Sequence, residues 1–239
     1  MCIRDRLGSA QVAALTTADI ALLTTGQVAA FGTAGIAALK ASQITALTTA
    51  DVQALTTKQI PVLSTAAVAA LTSTQVPVLT AAQIAALTTA QTASLTSTQV
   101  AVLSSADVQA LTTAQLATLK AAQVPALTST DILSWTTMQF AALSTAGVGA
   151  LTSTQVSTLS TADVASLTKL QLPAMTSADV SVLTSAQIPA FTTAQVPTFT
   201  TAQIGAFSTA QLGMFSQSQV AAFTTAQLGA LSPAQISAL

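Results

Sequence analysis

Residues 111–118 read Leu-Thr-Thr-Ala-Gln-Leu-Ala-Thr, and this eight-residue unit, here called an octad, decides the fold. Twenty-nine octads follow one another from Leu7 to Ala238 without one inserted or deleted residue. Self-similarity at a fixed short period is typical of stacked architectures in which each unit buries its apolar side only against its neighbours. The sequence therefore predicts a repeat solenoid. Octad positions are numbered 1–8 from the leading Leu.

Two positions of the octad are predicted to be buried. Position 1 is large and apolar in every copy, and position 6 is Val, Ile, Leu or Phe in every copy except the one that carries Thr92. In one continuous helix, eight residues at about 100° each would rotate the Leu row by about 80° per copy, so no single apolar seam would form. In one continuous strand, positions 1 and 6 would face opposite sides. We therefore expect regular structure to be interrupted in every octad.

The polar positions predict that a helix begins in each octad. Position 2 is Thr or Ser in twenty-five copies, and position 5 is Gln in twenty and Asp in six, which is the spacing of a capping box. In a capping box the hydroxyl accepts from the position 5 N–H, while the position 5 side chain accepts from the position 2 N–H. Pro233 stands at position 3, the first helical residue, where its fixed φ is suited. The predicted fold is an all-α solenoid of very short capped helices, one per octad, with a β-solenoid as the alternative.

Position 7 is predicted to end these helices. A Pro there would clash with the carbonyl four residues back and push the preceding residue toward extended geometry. We also expect helices to end at the glycines of this position. The residues concerned are Pro61, Pro77, Pro125, Pro173, Pro189 and Pro197, with Gly149, Gly205, Gly213 and Gly229.

Alternate octads differ in composition, which suggests a longer working period. Five of the six Asp residues in the repeat fall in one alternating set, and all four Lys residues fall in the other. We interpret this as two octads per coil, with the two sets in different environments. The pattern at position 5 recurs after fourteen octads, which indicates a duplicated block of seven such coils. On this hypothesis, deleting residues 79–94 preserves packing, whereas deleting residues 79–86 disturbs it.

The composition argues against several classes of function. Only 5% of residues are charged, the net charge is −1, and the chain has no His, Glu, Tyr or Asn. Nucleic acid and anionic lipid both require clustered Lys and Arg. No uninterrupted apolar span of about 20 residues exists, so no transmembrane helix is expected. With no His to activate a hydroxyl and no convergent carboxylates, we predict no catalytic residues and no enzyme activity.

Few residues stand out as candidate sites. Asp163 and Asp179 lie one predicted coil apart, but a calcium ion needs several oxygens within about 2.3–2.6 Å, so we predict that the Asp residues are caps. We expect Lys40 and Lys120, which replace the cap hydroxyl, to be solvated. Thr92 is read as a tolerated change in the apolar row. The aromatic residues at position 1, which are Phe31, Trp135 and the run from Phe191 to Phe223, are predicted to fill the core. No cofactor, metal or small-molecule substrate is predicted.

The domain prediction separates a short leader from one array. Residues 1–6 match nothing in the repeat and resemble a translated sequencing adapter, so they are interpreted as a non-native leader. Residues 7–239 are predicted to form a single solenoid. Neither end shows the polar capping repeat that closes such arrays, and we expect the chain to be a fragment with open ends.

The octads resemble those of large, highly repetitive bacterial proteins that are often labelled adhesin-like or haem-utilisation proteins. The resemblance covers Leu7 to Ala238 and implies a secreted or cell-surface stalk or scaffold, which would contact neighbouring domains of a longer chain or other copies of itself. The haem label does not fit a chain without His or Tyr, in which Met138, Met175 and Met214 occupy ordinary repeat positions. The alternative is a binding module that uses a Thr/Ser ladder for ice, polysaccharide or protein. Position 3 would supply that ladder, although Ala41, Ala81, Ala121, Lys169, Gln217 and Pro233 interrupt it.

Overall fold

A computed structural model describes residues 8–239, and every octad in this range contains one short helical segment. Twenty-three segments are α-helices and six are 3₁₀ turns, and the described residues contain no strand. The all-α prediction is confirmed, and the β-solenoid alternative is not supported. The α-helices are α1 (Ser9–Ala14), α2 (Thr17–Ala21), α3 (Thr25–Ala30), α4 (Thr33–Ala37), α5 (Ala41–Ala46), α6 (Thr49–Ala54), α7 (Thr65–Ala69), α8 (Ala81–Ala86), α9 (Thr89–Ser94), α10 (Ser97–Val100), α11 (Ser105–Gln109), α12 (Thr113–Leu116), α13 (Ser129–Leu133), α14 (Thr137–Ala141), α15 (Thr145–Val148), α16 (Ser153–Thr158), α17 (Thr161–Ser166), α18 (Ser177–Ser181), α19 (Thr201–Ala206), α20 (Thr209–Leu212), α21 (Gln217–Val220), α22 (Thr225–Gly229) and α23 (Pro233–Ile236). The 3₁₀ turns are Ile60–Val62, Val76–Val78, Val124–Ala126, Leu172–Ala174, Ile188–Ala190 and Val196–Thr198.

Local sequence decides where each helix begins and which kind of helix forms. Every described α-helix begins at position 3 after an extended N-cap residue at position 2, as at Thr112 with φ −73° and ψ 158°. The six 3₁₀ turns are the six octads with Pro at position 7, because Pro cannot take part in the next α-helical bond. The expectation that Gly ends the helix is wrong at Gly205. Helix α19 continues past Gly205, since Gly keeps its N–H and causes no clash, whereas α22 ends at Gly229.

Positions 1 and 6 form the core, as predicted. Leu111 and Leu116, the two apolar positions of one octad, are 2% and 0% exposed. The aromatic residues at position 1 are buried core residues, including Trp135. In the run from Phe191 to Phe223, each ring contacts the ring of the next octad at centroid distances of 5.0–5.5 Å, mostly edge to face. Position 1 side chains from successive octads therefore meet each other in the interior.

The turn of the solenoid is longer than the two octads predicted from composition. Helices pack against helices three octads along the chain, as α3 packs on α6 and α14 packs on α17. Side-chain hydrogen bonds to the preceding turn span 28 to 31 residues. One turn therefore takes about three and a half octads, so each helix lies over the junction between two helices of the turn before it. The predicted difference in environment is also wrong, because Asp51 and Gln59, from the two alternating sets, are equally buried.

The chain divides into two compact units, Met1–Thr118 and Leu119–Leu239, and the same packing recurs within each. The first unit ends where fourteen octads have been completed from Leu7. At about three and a half octads per turn, fourteen octads make four turns, so the duplicated block holds four turns and not seven coils. A single array over residues 7–239 stays a prediction. The proposed leader, residues 1–6, lies outside the described residues.

Candidate functional site

The capping box is the first chemical feature that recurs through the described chain. In the octad that begins at Leu71, the Thr72 hydroxyl accepts from the Gln75 N–H at 3.2 Å, and the Gln75 side-chain oxygen accepts from the Thr72 N–H at 2.9 Å. Both bonds satisfy backbone N–H groups that the first turn of a helix leaves without partners. The predicted caps are therefore confirmed. Lys40 and Lys120 are exposed, and their backbone N–H groups still donate to the position 5 glutamines of their octads.

The same Gln also holds the preceding turn, which the sequence analysis did not predict. Gln75 is 2% exposed, and its Nε2 donates to the carbonyls of Ile44 and Leu47, each at 2.8 Å. One amide thus uses its oxygen inside its own octad and its nitrogen between turns. Sixteen glutamines make this contact to carbonyls 28 and 30 or 31 residues earlier: Gln43, Gln59, Gln75, Gln83, Gln91, Gln99, Gln115, Gln155, Gln171, Gln187, Gln195, Gln203, Gln211, Gln219, Gln227 and Gln235.

A signal for this second role was present in the composition. Glu serves as well as Gln in a capping box, yet position 5 holds twenty Gln and the chain contains no Glu at all. A requirement for the side-chain N–H₂ group explains the bias, because a carboxylate would only accept hydrogen bonds and would face two carbonyl oxygens. The choice between Gln and Glu therefore reports on packing between turns, beyond the octad itself.

The Asp residues at position 5 act as caps. The Asp51 carboxylate accepts from the Thr48 N–H at 3.1 Å, and Asp163 and Asp179 do the same within their own octads. Asp carries no side-chain donor, so these octads lack the amide contact to the turn before them. Among residues 8–239, no group of three or more His, Cys, Asp or Glu side chains is placed to hold a metal ion.

The hydroxyls of position 3 form the outward-facing polar row. Nearly all position 3 residues are exposed, and Ser129 and Ser153 are half-buried. The hydroxyls of Thr193, Thr201 and Thr209 take no part in the capping boxes of their octads, where the position 2 hydroxyls serve. This row is chemically able to offer hydrogen bonds to water or to a polar surface.

Two further predicted residues have clear local roles. Thr92, which interrupts the apolar row, is 0% exposed, and its hydroxyl donates to the Thr88 carbonyl at 3.1 Å. This bond offsets part of the cost of burying a hydroxyl. Met175 lies in the core at position 1, whereas Met138 is 77% exposed, so the two do not share an environment.

The comparisons with known proteins concern the repeat alone. A family model described as ALTTAQ repeat matches residues 5–33, 12–49, 25–57, 46–81 and 100–137. Neither the curated proteins nor the solved structures gave a match to the chain. Within the described residues, no helix has the length and apolar character needed to cross a membrane. The octads in the matched segments are therefore similar to the ALTTAQ repeat.

Proposed function

We propose that this chain is a non-catalytic structural scaffold, serving as a stalk of an adhesin-like protein that is secreted or exposed at the cell surface. The repeated architecture supports this proposal, because a solenoid gains length by adding equivalent units and needs no unique site. The low charge of the chain also agrees with a role in which no charged substrate or nucleic acid is recognised.

The observation that carries the proposal is the use of the position 5 glutamines. They are the most numerous buried polar side chains of the described residues, and both ends of their amides make structural hydrogen bonds. Active sites usually hold polar groups whose charge or hydrogen bonding is adapted to a substrate. Here the buried glutamine side chains form hydrogen bonds with backbone N–H and carbonyl groups of the same chain, as expected of a structural framework.

The alternative is a binding module that uses the position 3 row. Its support is that hydroxyls such as those of Thr193, Thr201 and Thr209 are exposed and lie outside the capping boxes. Ice, polysaccharide or a protein surface would be the expected ligand. The interruptions of the row at residues such as Lys169 and Gln217 favour the scaffold.

The experiment replaces the three hydroxyls together, as Thr193→Ala, Thr201→Ala and Thr209→Ala. We expect the variant to melt like the parent chain, and we expect neither protein to show thermal hysteresis in ice growth or retention on immobilised polysaccharides. The matched control is Thr192→Ala, Thr200→Ala and Ser208→Ala. It removes two capping hydroxyls, each worth about 1 kcal/mol of stability, and the bond from the Thr192 hydroxyl to the Gln195 side chain. Binding by the parent that disappears in the position 3 variant would overturn the scaffold proposal and support the alternative.

A further inference from the structure

The glutamine contact between turns is unevenly distributed within each unit. In unit 2, the four octads of residues 183–214 all carry Gln at position 5, and each amide donates to carbonyls of residues 156–183. This pairing of turns is here called the full contact. One turn earlier, among residues 151–182, Gln155 and Gln171 donate to the preceding turn, whereas the two alternate octads carry Asp. This second pairing is here called the sparse contact.

The two Asp residues of the sparse contact are used inside their own octads. The Asp163 carboxylate accepts from the N–H and the hydroxyl of Ser160, and Asp179 accepts in the same way from Thr176. Neither carboxylate can donate to a carbonyl of the preceding turn. The Ser153 hydroxyl donates across this contact to the Oδ1 of Asp179 at 3.4 Å, which is long for such a bond. The sparse contact therefore lacks two of the four amide links that the full contact has.

The same arrangement recurs in unit 1, at the same place in the duplicated block. The four octads of residues 71–102 all donate through Gln to the preceding turn. Among residues 39–70, the alternate octads carry Asp51 and Ala67. Ala67 lies fourteen octads before Asp179, so the two copies of the block differ in the residue and agree in lacking an amide. What recurs is the absence of the donor, whichever side chain replaces it.

Apolar packing does not compensate for the missing amides. Val164 and Val180, at position 6 of the two Asp octads in unit 2, are 0% exposed, and so is Val196 one turn later. The later turn also contains Phe191 and Phe199, whose rings meet edge to face at 5.0 Å. The core is thus equally buried in both turns, and the amides and the aromatic rings both favour the full contact.

We propose that each unit opens reversibly at its sparse contact while the turns joined by the full contact stay folded. Short helices are unstable without packing, so the octads that part at this contact unfold as a group. Four unfolded octads can extend to about 100 Å, whereas a folded turn adds only about the 8–10 Å between packed helices. The sparse contact is therefore an extensible joint that lengthens the chain under tension. This inference does not depend on the scaffold function.

Tryptic cleavage of the folded chain tests the joint, because a protease cuts backbone that has opened. Lys169 is exposed at position 3 of an octad whose two neighbours carry Asp at position 5. The substitution Thr193→Lys places a second site at position 3 of an octad whose two neighbours carry Gln. Both octads themselves have Gln at position 5 and Pro at position 7, so the two sites differ mainly in their neighbours. Each rate is divided by the rate for a synthetic peptide of the same local sequence.

The Thr193→Lys chain should be cut about 30-fold faster after Lys169 than at the introduced lysine, which is the lower bound for four absent hydrogen bonds. Adding Asp163→Gln and Asp179→Gln should slow cleavage after Lys169 by a similar factor, because both amide links are restored. The matched control, Asp163→Ala with Asp179→Ala, removes the same charges without adding a donor and should not slow cleavage. Circular dichroism checks that every variant is folded.

The reverse exchange should move the joint. In the Thr193→Lys chain, Gln187→Asp with Gln203→Asp keeps both caps and removes both amide links, so cleavage at the introduced lysine should rise about 30-fold. Equal cleavage at the two sites of the Thr193→Lys chain would overturn the proposal. So would a rate after Lys169 that the added glutamines leave unchanged, slowing by the Ala control, or an unchanged rate at the introduced lysine after the reverse exchange.

Discussion

The substitution Gln75→Glu separates the two roles of the position 5 side chain. Gln75 Oε1 accepts from the Thr72 N–H, and a carboxylate would keep that bond. Its Nε2 donates to the Ile44 and Leu47 carbonyls at 2.8 Å, and a carboxylate would place an oxygen against both of them. The volume of the side chain hardly changes. Any loss of stability therefore comes from the contact between turns.

The size of the loss follows from the cost of keeping the introduced carboxyl neutral. A protonated carboxyl can donate to one of the two carbonyls, so about 1 kcal/mol is lost with the other bond. Protonation at pH 7 costs about 1.4 kcal/mol for each unit above an ordinary carboxyl pKa of about 4.3, or roughly 4 kcal/mol. We expect a total loss of about 4–5 kcal/mol at pH 7. Because burial against carbonyls raises the pKa of this carboxyl in the folded chain, the loss shrinks to about 1 kcal/mol below pH 4 and grows as pH rises.

The matched control is Gln27→Glu, at the same octad position in the first turn. Gln27 has the same bond to its N-cap but no turn beneath it among the described residues, so we expect a change within about 0.5 kcal/mol. Urea denaturation followed by circular dichroism at pH 4 and pH 7, at micromolar concentration, gives both free energies of unfolding. Equal stability of the two variants at pH 7, or a Gln75→Glu loss that does not depend on pH, would refute the reasoning.

Three further outcomes are expected. Deleting residues 79–86 should leave a folded chain that melts no lower than the chain without residues 79–94, because octads are equivalent along the turn; a collapse seen only with the shorter deletion contradicts this. Gly149→Ala should lower the free energy of unfolding by about 1–3 kcal/mol, since the new Cβ would lie 2.7 Å from the Ala174 carbonyl oxygen. In Gly205→Ala the nearest atom to the new Cβ would lie at 3.7 Å, so this substitution should raise the free energy of unfolding by about 0.5–1 kcal/mol. Equal effects of Gly149→Ala and Gly205→Ala on urea denaturation would contradict the geometry. Asp51→Gln should add the two missing donors and stabilise the chain by about 1–2 kcal/mol, and a lower urea midpoint would contradict this expectation.

The features that could be predicted from sequence are those decided within one octad. The cap at Thr48 needs only Asp51, three residues away, and Pro61 alone determines that its octad forms a 3₁₀ turn. The burial of Leu111 follows from its place in the apolar row. Each of these depends on a contact that the repeated sequence contains in full.

The number of octads per turn could not be predicted in this way. It depends on the angle between successive helices, which is decided by how position 1 and position 6 side chains meet in the interior. The alternation between Asp and Gln was a misleading guide, because Asp51 and Gln59 occupy equivalent buried sites. The absence of Glu was the informative observation, because an amide can donate to carbonyls of the preceding turn, as Gln59 does, and a carboxylate cannot.

The half-octad offset between turns governs how opening can spread within each unit. The position 5 glutamine of one octad donates to carbonyls of two successive octads in the preceding turn, as Gln75 does to Ile44 and Leu47. Opening either of those octads therefore breaks a bond to the same glutamine, which couples their hydrogen exchange. Protection from hydrogen exchange should therefore change gradually from one turn to the next within each unit, because neighbouring octads open together in overlapping groups.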